Sequence, residues 1–173
     1  SGNSNTAVSS TGMGYQALYS NTSGTQNSAF GYKSLYSNIT GIDNTAIGNN
    51  ALYSNTGSSN TATGSNALYS NTTGTNNTAL GNNALYTNST GLYNTAVGYG
   101  SLYTNATNSY NTAIGYLSLY FYAANRNTAS GYQSLYTNTT GGNNTAFGYG
   151  SSFSNTTAGN NTAIGNTALY LNS

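Results

Sequence analysis

The sequence predicts an all-β chain wound into a parallel β-solenoid, and three observations predict it. A unit of about 17 residues recurs from one end to the other. Each unit holds two short apolar runs separated by Gly and Asn, with no apolar spacing that a helix could use. Charge is nearly absent, at two basic residues and one acidic one, so the surface must be solvated by Asn, Ser, Thr and Tyr.

The period is read from the Asn that precedes Thr-Ala, at Asn5, Asn27, Asn44, Asn60, Asn77, Asn94, Asn111, Asn127, Asn144 and Asn161. Spacings are 16 or 17 except the first, 22, which reads as an insertion of "SSTGM" at 9–13 that bulges from the rod. Residues 1–173 are thus expected to be a single array of about ten coils with no second domain. One unit cannot bury an apolar face by itself, but stacked units extend one continuous core. At about 4.8 Å per coil, ten coils make a rod of roughly 48 Å.

The first run of each unit is Asn-Thr-Ala-apolar-Gly and the second is Ala/Ser-Leu-Tyr, and each is expected to form a short strand. In a strand the Thr and the apolar residue share one side and Ala the other. Apolarity argues for an interior of Thr, the variable apolar residue and Leu. The expected core is therefore Ile47, Leu52, Leu68, Leu80, Leu85, Val97, Leu102, Ile114, Leu119, Leu135, Ile164 and Leu169. That choice leaves Ala46, Ala79, Ala96, Ala113 and Ala146 outside, with Tyr53, Tyr69, Tyr86, Tyr103 and Tyr136, as an apolar stripe suited to a second copy of the chain. The opposite register, with Tyr inside and Leu outside, is the alternative. The Asn of each unit, Asn44, Asn60, Asn77, Asn94, Asn111, Asn127, Asn144 and Asn161, are expected to form a hydrogen-bonded ladder between coils.

Composition excludes several functions. With no His, Cys or Glu and a lone Asp43, general acid–base pairs, thiolates and clustered metal ligands cannot be assembled, so neither catalysis nor a cofactor is expected. Lys33 and Arg126 alone cannot neutralise a run of phosphates, so nucleic acid is not an expected partner. The most apolar run, "LYFYAA" at 119–124, is far too short to span a bilayer. The Asn-x-Thr/Ser triplets at Asn21, Asn38, Asn71, Asn88, Asn105, Asn138 and Asn155 read as turn sequences first and glycan acceptors second.

Departures from the unit are the recognition candidates. "FYAANR" at 121–126 replaces the polar loop and brings Phe121, Tyr122 and Arg126, residue types that anchor interfaces. Tyr93 and Tyr110 enter neighbouring corners, and Tyr15, Tyr32, Tyr99, Tyr116, Tyr132 and Tyr149 form a second column that could pack between chains or track a sugar.

The stretch "GNNTAIGNTAL" at 159–169 resembles the head repeat of trimeric autotransporter adhesins, whose unit runs Asn-Ser-Val-Ala-Ile-Gly. The longer unit containing "ALYSNTTG" is similar to trimeric tail-fibre and surface-fibre proteins of phages and bacteria. The resemblance implies a left-handed β-roll, three chains side by side with the small Ala toward the trimer interface, and a place on a cell surface or virion. It covers essentially the whole chain, with a longer coil here and Thr where the adhesin unit has an inward Val. The expected function is a structural and adhesive segment of an extracellular oligomeric fibre meeting a surface glycan or receptor. A head-to-tail filament and an ice-binding solenoid are the alternatives; an inward Thr column argues against the latter.

Overall fold

The structure, a computed structural model, describes residues 9–122 and 124–172. In chain order the strands are β1 (Thr11–Met13), β2 (Ser28–Phe30), β3 (Thr45–Ile47), β4 (Thr61–Thr63), β5 (Thr78–Leu80), β6 (Thr95–Val97) and β7 (Thr112–Ile114). They continue with β8 (Phe121–Tyr122), β9 (Thr128–Ser130), β10 (Thr137–Asn138), β11 (Thr145–Phe147), β12 (Ser154–Asn155), β13 (Thr162–Ile164) and β14 (Leu171–Asn172). The chain is a β-solenoid of about nine turns, roughly 17 residues each. Ten strands form one parallel sheet, β1-β2-β3-β4-β5-β6-β7-β9-β11-β13, and β14-β12-β10-β8 form a smaller one.

Register follows the repeat: Thr45 faces Thr61, Ala46 faces Ala62, and Ile47 faces Thr63. The strands stop after three residues because the next residue is Gly at φ of about 124–139°, a region closed to residues with a Cβ. At Gly48 an added Cβ would strike the carbonyl of Gly64 on the next rung. The column therefore turns the chain and lets successive rungs close up.

Two expectations of layout are corrected. The residues 9–13 are not a bulged insertion: Thr11, Gly12 and Met13 pair with Ser28, Ala29 and Phe30 as the first rung. Ser10 occupies the position of the unit's Asn, and its Oγ accepts from Asn27 N at 3.2 Å as an Asn side chain does elsewhere. The coil expected near Asn5 lies outside the described residues. The second correction concerns the Ala-Leu-Tyr run, which was expected to be a strand. It carries a rung-to-rung ladder, such as Leu52 N to Ala67 O at 3.0 Å and Ser54 N to Tyr69 O at 3.1 Å. Yet its Leu residues sit at φ of about 47–55°, left-handed backbone that interrupts an extended strand. Regular strand pairing at this wall begins only at Phe121.

The interior is the reverse of what apolarity suggested for the first run. Ala46, Ala79, Ala96, Ala113 and Ala146 are fully buried, whereas Ile47, Leu80, Ile114 and Ile164 are exposed and Val97 is half-buried. These apolar residues are not core, and these Ala are not an outer stripe. The first rung shows why: a Cβ on Gly12 would lie 3.3 Å from Leu18 Cδ1 and 3.7 Å from Ala17 Cβ, in contact with the opposite wall. The lumen has room for one methyl at that position and nothing larger.

Leu52, Leu68, Leu85, Leu102, Leu119 and Leu135 are fully buried as expected. Leu169 is 46% exposed, because no further rung is stacked on its turn among the described residues. A second small-residue column, including Ala51, Ala67, Ala84, Ser101 and Ser118, closes the core. The Thr column, expected inside, is half-buried on the outer face beside the exposed apolar rank.

Candidate interaction surfaces and internal ladders

Two Asn ladders run inside the rod. In the first, Asn44 N donates to Asn27 Oδ1 at 3.0 Å, Asn60 N to Asn44 Oδ1 at 3.0 Å, and Asn94 N to Asn77 Oδ1 at 2.9 Å. The series continues through Asn111, Asn127, Asn144 and Asn161. The Nδ2 of these side chains, except that of Asn161, which is buried without a partner, crosses to a carbonyl at the far corner of its own turn, as from Asn77 to Gly91 O at 2.8 Å. One amide thus satisfies both its own turn and the next.

The second ladder is formed by the Asn of the glycosylation triplets together with Asn55 and Asn172. Asn71 Nδ2 donates to Asn55 Oδ1 at 2.6 Å and to Gly74 O at 2.9 Å; Asn88 Nδ2 donates to Asn71 Oδ1 at 2.7 Å and to Gly91 O at 3.2 Å. Asn21, Asn38, Asn71, Asn88, Asn105, Asn138 and Asn155 are fully buried, so a folded rod offers none of these amides to a glycosyltransferase. Residue 122 is Tyr where the other units have Asn, and there the ladder stops: Asn105 Oδ1 is buried without a hydrogen-bond partner. Polar cores demand full pairing, so this is a local defect.

Outside, the Tyr that follows Leu builds a continuous aromatic stack. Tyr19, Tyr36, Tyr53, Tyr69, Tyr86 and Tyr103 lie 5.0–5.2 Å apart between ring centroids, with interplanar angles of 4–9°. The stack continues to Tyr120, Tyr136, Phe153 and Tyr170 with spacings of 5.0–5.6 Å. Sequence places this column outside, and the rings from Tyr19 to Phe153 are half-buried there while Tyr170 is exposed. Burial pushes the Tyr103 and Tyr120 phenols above the ordinary tyrosine pKa, with their Tyr neighbours adding to the effect.

The second Tyr column is a pair, Tyr15–Tyr32, and a run of four, Tyr99–Tyr116–Tyr132–Tyr149, again stacked at 5.0–5.4 Å. A sugar track needs ring faces, and stacking along the rod covers those faces with the neighbouring rungs. What these columns present to solvent is ring edges and hydroxyls.

Phe121 and Arg126 pack on different rings. Phe121 stands edge-on to Tyr120 and Tyr136, with centroids 4.8 and 5.5 Å away. Arg126 lies over Tyr110, 5.8 Å from its centroid, and Tyr110 stacks on Tyr93. Tyr122 enters the small sheet opposite Asn138. Lys33 spans Tyr32 and Tyr36 at 5.3 and 5.5 Å, and a hydrogen bond to Tyr32 holds its pKa above the ordinary lysine value.

Among the described residues there is no cluster of His, Cys, Asp or Glu able to hold a metal ion, and no helix long and apolar enough to cross a membrane. What the surface does carry is a rank of exposed apolar side chains on the long sheet, including Met13, Phe30, Ile47, Leu80, Ile114, Phe147 and Ile164. No protein-family description, curated protein or solved structure matches the chain.

Proposed function

We propose that this chain is a structural and adhesive segment of an extracellular oligomeric fibre, without enzymatic activity, in which copies lie side by side, three to a shaft. The observation that carries the reading is the mostly apolar exposed rank, interrupted at Thr63 and Ser130, that runs along the ten-stranded sheet. A soluble single rod has no reason to keep so long an apolar line wet, and a neighbouring rod of the same repeat covers it at every rung. The contact is thereby assigned to the residues before Gly, not to the buried Ala column. Adhesion to a glycan or receptor falls to the irregular turns, with Phe121 and Arg126 the leading anchors.

Mass per unit length of isolated particles tests the reading. Three chains per rung are expected, and Ile47→Asp combined with Leu80→Asp and Ile114→Asp should return single rods of unchanged β content. Single rods from the unmodified chain would reject it. A head-to-tail filament is the variant in which particles outgrow one chain's length without thickening.

One observation favours a second reading, an ice-binding face: the Thr column lies on the outer side of an in-register sheet. The adjoining rank mixes bulky Phe30 and Phe147 with small Thr63 and Ser130, a roughness that an ordered water layer would not match. Thermal hysteresis in dilute solution would establish that reading over the first.

A further inference from the structure

We infer that the long aromatic column is a conduit for oxidising equivalents, along which a one-electron hole on one phenol passes from rung to rung. The inference goes beyond the fibre reading and stands on the ring geometry of a single rod.

Eight phenols, Tyr19, Tyr36, Tyr53, Tyr69, Tyr86, Tyr103, Tyr120 and Tyr136, are stacked without a gap, at 5.0–5.6 Å between centroids and no more than 22° from parallel. Rings at that separation are in π contact, so a hop needs no bridging bonds. The chain has no Trp and no Cys, and its one Met, Met13, lies in the first strand. Phenols are therefore where a one-electron oxidant acts.

The chemistry balances at each step. An external one-electron oxidant, such as a high-valent metal complex, removes an electron from one phenol, and the phenolic proton goes to water, leaving a neutral phenoxyl radical. In the hop, the adjacent phenol gives up an electron and a proton, and the first recovers both. Because successive sites are chemically the same residue in the same stack, the exchange is close to thermoneutral. Each ring is half-buried, so its outward edge keeps water within reach for the proton. The hole leaves when a small-molecule hydrogen-atom donor such as a hydroquinone returns one electron and one proton, becoming a semiquinone.

The column also contains its own insulator. Phe153 sits between Tyr136 and Tyr170 at 5.0 Å from each, and it has no phenolic proton to lose. It separates Tyr170 from the eight, and it shows that Phe occupies the stack without disturbing it.

The test uses Ser23→Cys, an exposed site four residues from Tyr19, as the sole thiol for attaching a ruthenium polypyridyl photo-oxidant. After flash oxidation with a sacrificial electron acceptor, phenoxyl radicals are captured by a nitroso spin trap and the adducts are located by peptide mass spectrometry. Adducts are expected as far as Tyr120 and Tyr136, with Tyr170 spared. In the Tyr69→Phe variant, adducts beyond position 69 should fall to background while circular dichroism stays unchanged. Adducts confined to Tyr19 and Tyr36 in the parent, an unchanged profile in the variant, or equal labelling of an isotopically marked chain lacking the ruthenium would each overturn the inference. Rods that relay holes yet never associate laterally would refute the fibre reading alone.

Discussion

At the scale of single residues, the rod tolerates change on one side only. Ala96 is fully buried, and at the equivalent position of the first rung a Cβ on Gly12 would already lie 3.3 Å from Leu18 Cδ1, so Ala96→Leu is expected to cost about 1–3 kcal/mol or more through overpacking, read as a lowered denaturation midpoint. Ile114→Ser, on the exposed rank, should stay within about 0.5 kcal/mol in a single rod. A sequence reading by apolarity orders these two substitutions the other way round. The repeat did hold the correct signal: the buried Ala column is nearly uniform, while the residue immediately after it runs through Ile, Thr, Leu, Val, Ser and Phe. Uniformity marked the packed wall more faithfully than hydrophobicity did, because a methyl-sized space admits few side chains. The interior Asn of the triplets were legible as a column, but not as buried; only the paired acceptors at Gly74 and Gly91 reveal that. At the break in that ladder, Tyr122→Asn should supply the donor that Asn105 Oδ1 lacks and raise stability by about 1–3 kcal/mol, the cost of one orphaned buried group. A thermal midpoint no higher than the parent's would contradict that account.

At the scale of elements, the short strands were legible from the two-residue alternation and the Gly that ends them, whereas the second wall was not. Nothing local in Ala-Leu-Tyr announces left-handed backbone at Leu, although the Leu side chains from Leu18 to Leu135 are fully buried there. The aromatic column has its own pH signature. Tyr103 and Tyr120 hold their protons more tightly in the folded rod than the ordinary value of 10.0, chiefly because they are buried. An unfolded chain therefore binds fewer protons than the folded one once pH exceeds that value. Stability is fully present below about pH 10 and declines as pH rises through the folded-state pKa values. Thermal midpoints measured from pH 8 to 12 should fall along that limb, and the fall should be shallower with Tyr103→Phe and Tyr120→Phe together.

At the scale of the whole molecule, the array behaves as a stack of nearest-neighbour contacts. Excising one complete unit, residues 77–93, joins Asn76 to Asn94 in the same phase of the repeat, and a shorter, less stable but fully folded rod is expected. Small-angle scattering would report the lost length, and oriented fibres should diffract at about 4.8 Å along their axis. An aggregated or unfolded deletion product would show that the rungs are not interchangeable. The overall architecture was the most legible property of all, because a period repeated ten times averages out local ambiguity. The side of each strand that faces inward was the least legible, because a period of two fixes alternation without fixing its sign.

The thin lumen has a consequence for how such a chain can diverge. Its inner lining admits almost no spelling but one, while the letter before each Gly is read only from outside. Duplication of a unit lengthens the shaft, and rewriting that one letter changes what the shaft displays at a chosen height, without reopening the question of whether it folds. The molecule is in this sense a ruler whose graduations can be relabelled one at a time.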